Sequence, residues 1–402
     1  MNKIFISITI CLMLTFLASI SYADIIHVPG DFDTIQEGID AANDGDIVMV
    51  HNGTWTGEGN KNLLLDNPDR MITVISENGA ASTIIDCEGD GRGFIFDGES
   101  SVVNGFTIMN GSETNGGGIA CQNASPIIVN NIIINNTAAA VGGGIVVAGS
   151  SALPMIIGNI IAGNSAANYG GGIVAANGGF PTIINNTITE NSAGMGGGGL
   201  GCPQGNATVL NSIIWGASNG GDIVIAAGRT VNISYSDYGT VNDSTRLIEG
   251  DGMLHDIDPL FVGGGDYHLT DLSPCIGAGT NVGLPSEAAT DIDGDTRPTP
   301  AGSNPDIGAD EHWRDVPSIR SIKGIVTDCQ TGEPIKWALV VVIQKPAKVR
   351  TFTDEDGFYD IFDLEPGEWW LIGIKKGYKL HIAKVEVKPG ETIGHDFCME
   401  LK

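Results

Sequence analysis

Positive charge is what this sequence has least of. Lys and Arg total 20 against 48 Asp and Glu, a formal charge of −28. Phosphate recognition depends on Lys and Arg, so nucleic-acid binding is not expected. Between residues 93 and 228 there is no Lys, no Arg and no His. Aromatic side chains make up only 6% of the chain. After residue 20 no stretch approaches 18 consecutive apolar residues, so no transmembrane segment is expected.

Glycine is abundant instead, 58 of 402 residues. Apolar residues reach 42%, enough for a packed core. The start reads as a secretory signal peptide over residues 1–23. Lys3 supplies the positive end, an apolar run covers Ile4 to Ile20, and Ser21-Tyr22-Ala23 is a small-x-small cleavage site. The mature chain is therefore expected outside the cytoplasm, at the cell surface, beyond the cell or in the periplasm. Charge then divides the remainder. Residues 24–318 carry 7 basic and 35 acidic side chains, and residues 319–402 carry 12 and 13. A domain boundary is expected near residue 318, with domains over 24–315 and 319–402.

A repeat of about 27 residues organises the middle. Gly-Gly-Gly-Ile stands at Gly116–Ile119, Gly142–Ile145 and Gly170–Ile173, with a fourth copy ending at Leu200. Pro126, Pro154 and Pro181 follow the first three. Asn131, Asn159 and Asn186 come five residues after each Pro, and Asn136, Asn164 and Asn191 five later still. The register extends to Asn104 upstream and Asn211 downstream. Runs such as Ile127-Ile128-Val129 are β-branched and bounded by Gly, Pro and Asn, so they read as short strands. Two or three such strands per repeat fit a coil whose turns pair with one another about 4.8 Å apart. Gly and Asn tolerate positive φ at the corners, and stacked Asn side chains can hydrogen-bond along the coil. Ile119, Ile145, Ile173 and Leu200 form one inward column, and Cys121, Val147, Ala175 and Cys202 another. Cys121 and Cys202 are then three turns apart, too far for a disulfide, and read as buried thiols.

On this repeat the chain resembles the right-handed parallel β-helix proteins of the pectate lyase-like superfamily, over about residues 24–313. That superfamily includes lyases, hydrolases, esterases and non-catalytic surface proteins, so the resemblance implies an architecture more than an activity. Asp33-Thr34-Ile35-Gln36 predicts a capping box on a short helix that covers the open first turn. Asp46 to Val50 is expected to start the first strand. Asp258-Pro259-Leu260-Phe261, Ser273 to Gly279 and Asp306 to Glu311 depart from the repeat. They are similar to the closing segment of exported bacterial β-helix proteins, including those resembling chlamydial polymorphic outer-membrane proteins.

The tail reads as a small β-sandwich of seven short strands between Ile322 and Leu401. Gly324-x-Val326-x-Asp328, Thr331-Gly332-x-Pro334, Thr353-Asp354-x-x-Gly357-x-Tyr359 and Leu364-x-Pro366-Gly367 make it similar to carboxypeptidase regulatory-like, transthyretin-like domains. Such domains serve as non-catalytic appendages. Cys329 and Cys398 fall in position to meet across its first and last strands. The fold class is thus all-β, a right-handed parallel β-helix followed by a sandwich.

The chemistry-bearing residues are few. Elimination on uronic sugars needs a cationic or imidazole base, which residues 93–228 lack. Glycoside hydrolysis needs two carboxylates about 5–9.5 Å apart, and the acids of that stretch do not share a column. No catalytic residue is assigned there. Richer groups lie at the ends: Arg70, Asp86, Glu88, Asp90 and Arg92 upstream, and Arg229, Arg246, His255, Asp256, Asp258 and His268 downstream. Asp291, Asp293 and Asp295 alternate as hard cations prefer, so calcium is the cofactor to test, although no EF-hand Glu follows. Tyr169, just before a Gly run, and Trp370, alternating with Trp369, are the candidate ligand platforms. The expectation is a secreted, non-catalytic surface or matrix protein that binds a polysaccharide or another cell-envelope component through the β-helix. The alternative is a polysaccharide lyase or glycoside hydrolase with its site near one end of the coil.

Overall fold

The structure, a computed structural model, describes residues 23–300, 302–312, 321–344, 347–361, 364, 367–388 and 392–402. The expected signal peptide (but for Ala23), the junction around residue 318 and the turn residues Pro366, Pro389 and Gly390 lie outside them. The chain divides into two units, Met1–His312 and Trp313–Lys402.

The first unit is a parallel β-helix. Its strands stack into a ten-stranded sheet, from Ile25–Val28 to Leu247–Glu249, and a nine-stranded sheet, from Gly53–Trp55 to Leu254–His255. A seven-stranded sheet runs from Leu63–Leu65 to Ile223–Ile225, and a short four-stranded one from Ser112–Asn115 to Ser192–Ala193. Every pairing within them is parallel, as between Ile127–Val129 and Met155–Ile157. The first strand is Ile25–Val28, one coil earlier than Asp46–Val50, and it pairs with Ile47–Val50. The short helix Ile35–Ala41 is capped by Thr34 and Glu37, one residue later than the Asp33/Gln36 box read from sequence. Ile35 and Ile39 close the end of the core.

The interior is built of register-matched columns. Ile119, Ile145, Ile173 and Leu200 stack in order, and so do Cys121, Val147 and Ala175, with Cys202 following in the same inward column. All are fully buried, and Cys121 and Cys202 are free thiols. Burial drives both thiols well above the ordinary range, Cys202 to about 12.

The glycine triplets serve two needs. Only the first of each triplet has positive φ, about +66° at Gly116 and Gly170. The second has no room for a side chain. A Cβ on Gly143 would meet the carbonyl oxygens of Ser165 at 2.4 Å and Gly171 at 2.5 Å. Successive corners are therefore stacked backbone on backbone.

The paired Asn residues divide their roles in the same way. Asn130, Asn135 and Asn185 take the left-handed conformation. The residue after each, Asn131, Asn136 or Asn186, turns inward and is buried. The Asn131 amide donates to Asn159 Oδ1 at 3.1 Å, and the Asn159 amide to Asn186 Oδ1 at 3.0 Å. Asn136, Asn164 and Asn191 repeat the pattern at 3.0 and 3.1 Å. The ends of the first ladder differ from the extrapolated register. Strand Val102–Asn104 pairs with Ile127–Val129, so Phe106, not Asn104, is in register with Asn131. Downstream, Ser212 Oγ accepts from the Asn186 N–H, and Asn211 instead takes positive φ. Asn211 then binds the closing segment, exchanging two 2.8–2.9 Å bonds with Thr280.

That closing segment begins with the hairpin of Phe261–Gly263 and Asp266–Leu269. It folds back over outward-facing apolar residues of the coil. Leu284 and Ala288 cover Ile157 and Ile184, Cys275 and Ile307 cover Ile213, and Ala309 covers Ile160 and Ala162. At its heart Arg297 pairs with Glu311 at 3.2 Å, both essentially buried. The guanidinium also donates to the carbonyls of Asp306 and Ala309.

The second unit is an antiparallel-rich sandwich with eight strands among the described residues, one more than the seven read from sequence. One four-stranded sheet is built on Ser321–Asp328, and the other has the order Ala347–Phe352, Leu339–Gln344, Gly367–Ile374, His381–Val387. Trp369 faces its core, with Tyr359, Leu371 and Phe397. Cys329 and Cys398 form a disulfide.

Candidate functional site

Three arginines of the end clusters expected from sequence are drawn into structural duty. Arg70 donates to the carbonyls of Ile39 and Ala42 at the end of the capping helix and lies 3.7 Å from Glu99. Arg92 donates to Asn115 O and pairs with Glu113 at 3.2 Å. Arg246 donates to Ile225 O and pairs with Asp243. Three acids of the central coils are committed too. Glu99 accepts from Ser101 and from Asn67 N–H, Glu190 from the Tyr267 hydroxyl, and Asp222 from Ala217 and Thr240.

A polar cleft of about 230 Å³ lies on the first unit. One wall is coil: Glu77, Asn78, Asn104 and Asn130. The other is the loop from Asp291 to Gly294. Each wall presents a carboxylate backed by imidazole. Glu77 Oε2 lies 3.0 Å from His51 Nδ1, and His51 Nε2 lies 3.1 Å from His27 Nδ1. Across the cleft, Asp293 Oδ2 lies 2.7 Å from His268 Nε2, whose Nδ1 contacts Asp266. The bond to Asp293, reinforced by Asp266, holds the His268 imidazolium up to about 10. Desolvation pushes Asp310, which accepts from the Leu269 N–H, up to about 6.

Glu77, His51 and His27 were not singled out from sequence. Their signal is the repeat itself: Ser76 pairs with Val50, so Glu77 follows His51 by one coil. That coil lies upstream of the Gly-Gly-Gly-Ile copies from which the period was read.

Asp291, Asp293 and Asp295 do not act as one set. Asp291 is buried, and its carboxylate accepts from the N–H groups of Asp293, Asp295 and Glu311. Asp293 turns out to His268. Among the described residues, the group whose ligand atoms lie within 4.8 Å of one another is His268, Asp293 and Asp310. Protonated His268 already balances part of its charge.

Tyr169 is half-buried against the outer aliphatic stripe of Ala120, Val146 and Val174, and it does not line the cleft. Trp370 is 49% exposed beside the buried Trp369, with the Lys384 ammonium 5.6 Å from its ring centroid. No helix among the described residues is long and apolar enough to cross a membrane.

The chain is a parallel β-helix protein with a C-terminal carboxypeptidase regulatory-like domain. Residues 321–400 match the model of that domain, and residues 45–237 match a family described as a protein of unknown function, DUF1565. Among solved structures, pectate lyase Pel9A is similar with 13% identity and a TM-score of 0.39, over 73% of this chain and 98% of that one. The Bacillus anthracis TIE protein has 26% identity and a TM-score of 0.19, over 21% of this chain and 17% of its own length. No curated protein matches the chain.

Proposed function

We propose that this is a secreted, non-catalytic surface or matrix protein whose β-helix holds a polysaccharide of the cell envelope in the cleft between Glu77 and Asp293. The observation that carries the reading is the spending of acids in the coil. Glu99, Glu113, Glu190 and Asp222 are each bound to a structural partner, for Glu113 the Arg92 guanidinium, and residues 93–228 themselves contain no Lys, Arg or His. The coils of residues 93–228, without Lys, Arg or His, serve as a scaffold. Its cleft offers amides and carboxylates, which hydrogen-bond sugar hydroxyls. The sign of charge narrows the glycan. Glu77, Asp291 and Asp293 line the cleft without Lys or Arg, in a chain of −28. Polyuronates are therefore repelled, and neutral or amine-bearing sugars favoured. A glycan array spanning neutral, amine-bearing and uronic polymers tests this, with Glu77→Gln and Asp293→Asn as controls. Retention of neutral or amine-bearing polymers, weakened in both variants, is expected; exclusive binding of polyuronates defeats the reading.

A second reading rests on the two imidazole-backed carboxylates. A pair of carboxylates flanking the scissile bond is what glycoside hydrolysis uses. Cleavage of any array polymer, abolished by both substitutions, would replace binding with catalysis.

A further inference from the structure

We infer that His381 and His395 form a binding site for a divalent transition-metal ion of the zinc class, on the sandwich unit and independent of the cleft. Their Nε2 atoms face each other at 3.5 Å. That is long for an N–H hydrogen bond, whose usual length is about 2.9–3.0 Å. It is close to the edge of a metal tetrahedron: two Zn–N bonds of about 2.0–2.1 Å at the tetrahedral angle put the nitrogens about 3.3–3.4 Å apart. The separation of the two Nε2 atoms thus matches the one an ion would set.

The pair is held from both sides. His381 starts the strand His381–Val387, and its ring lies flat on Phe397, with centroids 4.1 Å apart and planes 13° apart. His395 lies in the turn between Thr392–Gly394 and Phe397–Met399. Its N–H donates to Lys323 O at 2.8 Å, and its carbonyl accepts the Tyr359 hydroxyl at 2.7 Å. Gly324 makes this approach feasible, because a Cβ there would sit 2.2 Å from the His395 oxygen. Burial lowers the proton affinity of both imidazoles, and for His381 the facing His395 lowers it further. Neutral imidazole is the form that binds metal.

The site opens into a cavity of about 540 Å³ lined also by Asp396, Glu400 and the Cys329–Cys398 disulfide. Sulfurs tied in the disulfide are not thiolate ligands. The remaining coordination positions therefore go to water or to a carboxylate entering from the cavity. Two imidazoles select zinc, nickel or copper over calcium and magnesium, which want oxygen.

Calorimetric titration of the untagged, EDTA-stripped mature chain with ZnCl2 tests the assignment, with CaCl2 as the comparison ion. A saturable zinc site is expected that weakens at least tenfold in both His381→Ala and His395→Ala and persists in His268→Ala. As a measurement that needs no variant, Co2+ added to the wild-type chain should broaden the ring-proton resonances of His381 and His395 at the lowest concentrations. The assignment is overturned by a wild-type chain with no saturable zinc site, by zinc binding that survives both substitutions, or by ring protons that stay sharp.

Discussion

Asn159 is the point at which the coil can be tested most sharply. Its side chain makes five contacts at hydrogen-bond distance inside the stack, three of them sharing the two Nδ2 hydrogens. Oδ1 accepts from Asn131 N at 2.9 Å and from Asn131 Nδ2 at 3.1 Å. Nδ2 donates to Ile128 O at 2.8 Å, Ile157 O at 3.0 Å and Asn186 Oδ1 at 3.0 Å. Asn159→Ala removes all five and strands the Asn131 N–H in the interior. An orphaned buried donor costs about 1–3 kcal/mol, and each other lost bond a net ~0.5–1.5 kcal/mol. Neighbouring losses are not additive, so the expected total is about 4 kcal/mol, a large share of ordinary domain stability. The thermal midpoint of the β-helix should fall by roughly 8 °C or more. Asn135→Gly is the control. Asn135 is exposed with φ 56°, and Gly163 holds the equivalent corner one coil on at φ 64°. That variant should stay within about 1 kcal/mol of wild type. Asn159→Asp adds a diagnostic, since it keeps the acceptor but sets an anion against two carbonyls, so its deficit should shrink as pH falls. Differential scanning calorimetry reads all three. If Asn159→Ala melts within 2 or 3 °C of wild type, as an order-of-magnitude bound, or if Asn135→Gly falls just as far, the ladder is not what holds the coils together.

Other perturbations probe separate parts of the molecule. Gly143→Ala places a Cβ between two backbone carbonyls that cannot swing aside, so soluble expression should collapse, whereas Gly228→Ala, with nothing within 4 Å, should cost only about 1 kcal/mol for its positive φ. Asp237 is buried near Cys275 with no close hydrogen-bond partner among the described residues for either oxygen, and desolvation lifts it to about 7. The folded state then holds a proton that the unfolded chain releases near the ordinary aspartate value of 3.8, so stability falls as pH rises from about 4 to 7 and is flat beyond. Asp237→Asn should flatten that slope in a series of melts and raise the midpoint at pH 8, with Asp310 and Glu311 leaving a residual slope of the same sign; an unchanged slope counts against the assignment. His268 should stay protonated through pH 8 in an NMR titration and lose its charge only near 10; a midpoint near 6.5 would mean that Asp293 and Asp266 do not clamp it.

The repeat made the coil legible because a stacked fold demands the same residue type at the same place in each turn. Inward Ile and Cys columns, buried Asn and corner Gly all follow from that demand. What the period could not show was which Asn of each pair turns inward, since a shift of one residue exchanges ladder for corner. Asn211 illustrates it: placed by extending the register of the repeat, it takes the corner conformation, and Ser212 stands inside. The sandwich was legible from its turn punctuation, and Trp369 and Trp370 divide between core and solvent as strand alternation requires. The cleft was not legible. It joins Glu77 to Asp293 across more than two hundred residues, and no local pattern reports where the closing segment docks. For the same reason Asp291 looked like a cation ligand. Its role as acceptor of Glu311 N–H appears only once residues 291 and 311 meet.

The placement of titratable groups follows from the architecture. In a nearest-neighbour stack each coil is stabilised by resembling the coils on either side. A reactive or recognition residue is by nature singular, and a singular residue breaks a column. Glu190 shows the penalty, adopting φ 55° where other coils supply Asn or Gly, and it is held by Tyr267 from the closing segment. The middle coils therefore stay uniform and chemically quiet, while imidazoles and unequal carboxylates collect where the repeat starts, where it is overlaid, and on the appended sandwich. On this argument, moving the His51–Glu77 pair one coil along the stack would cost stability even with its contacts rebuilt, because each new neighbour would lose its match.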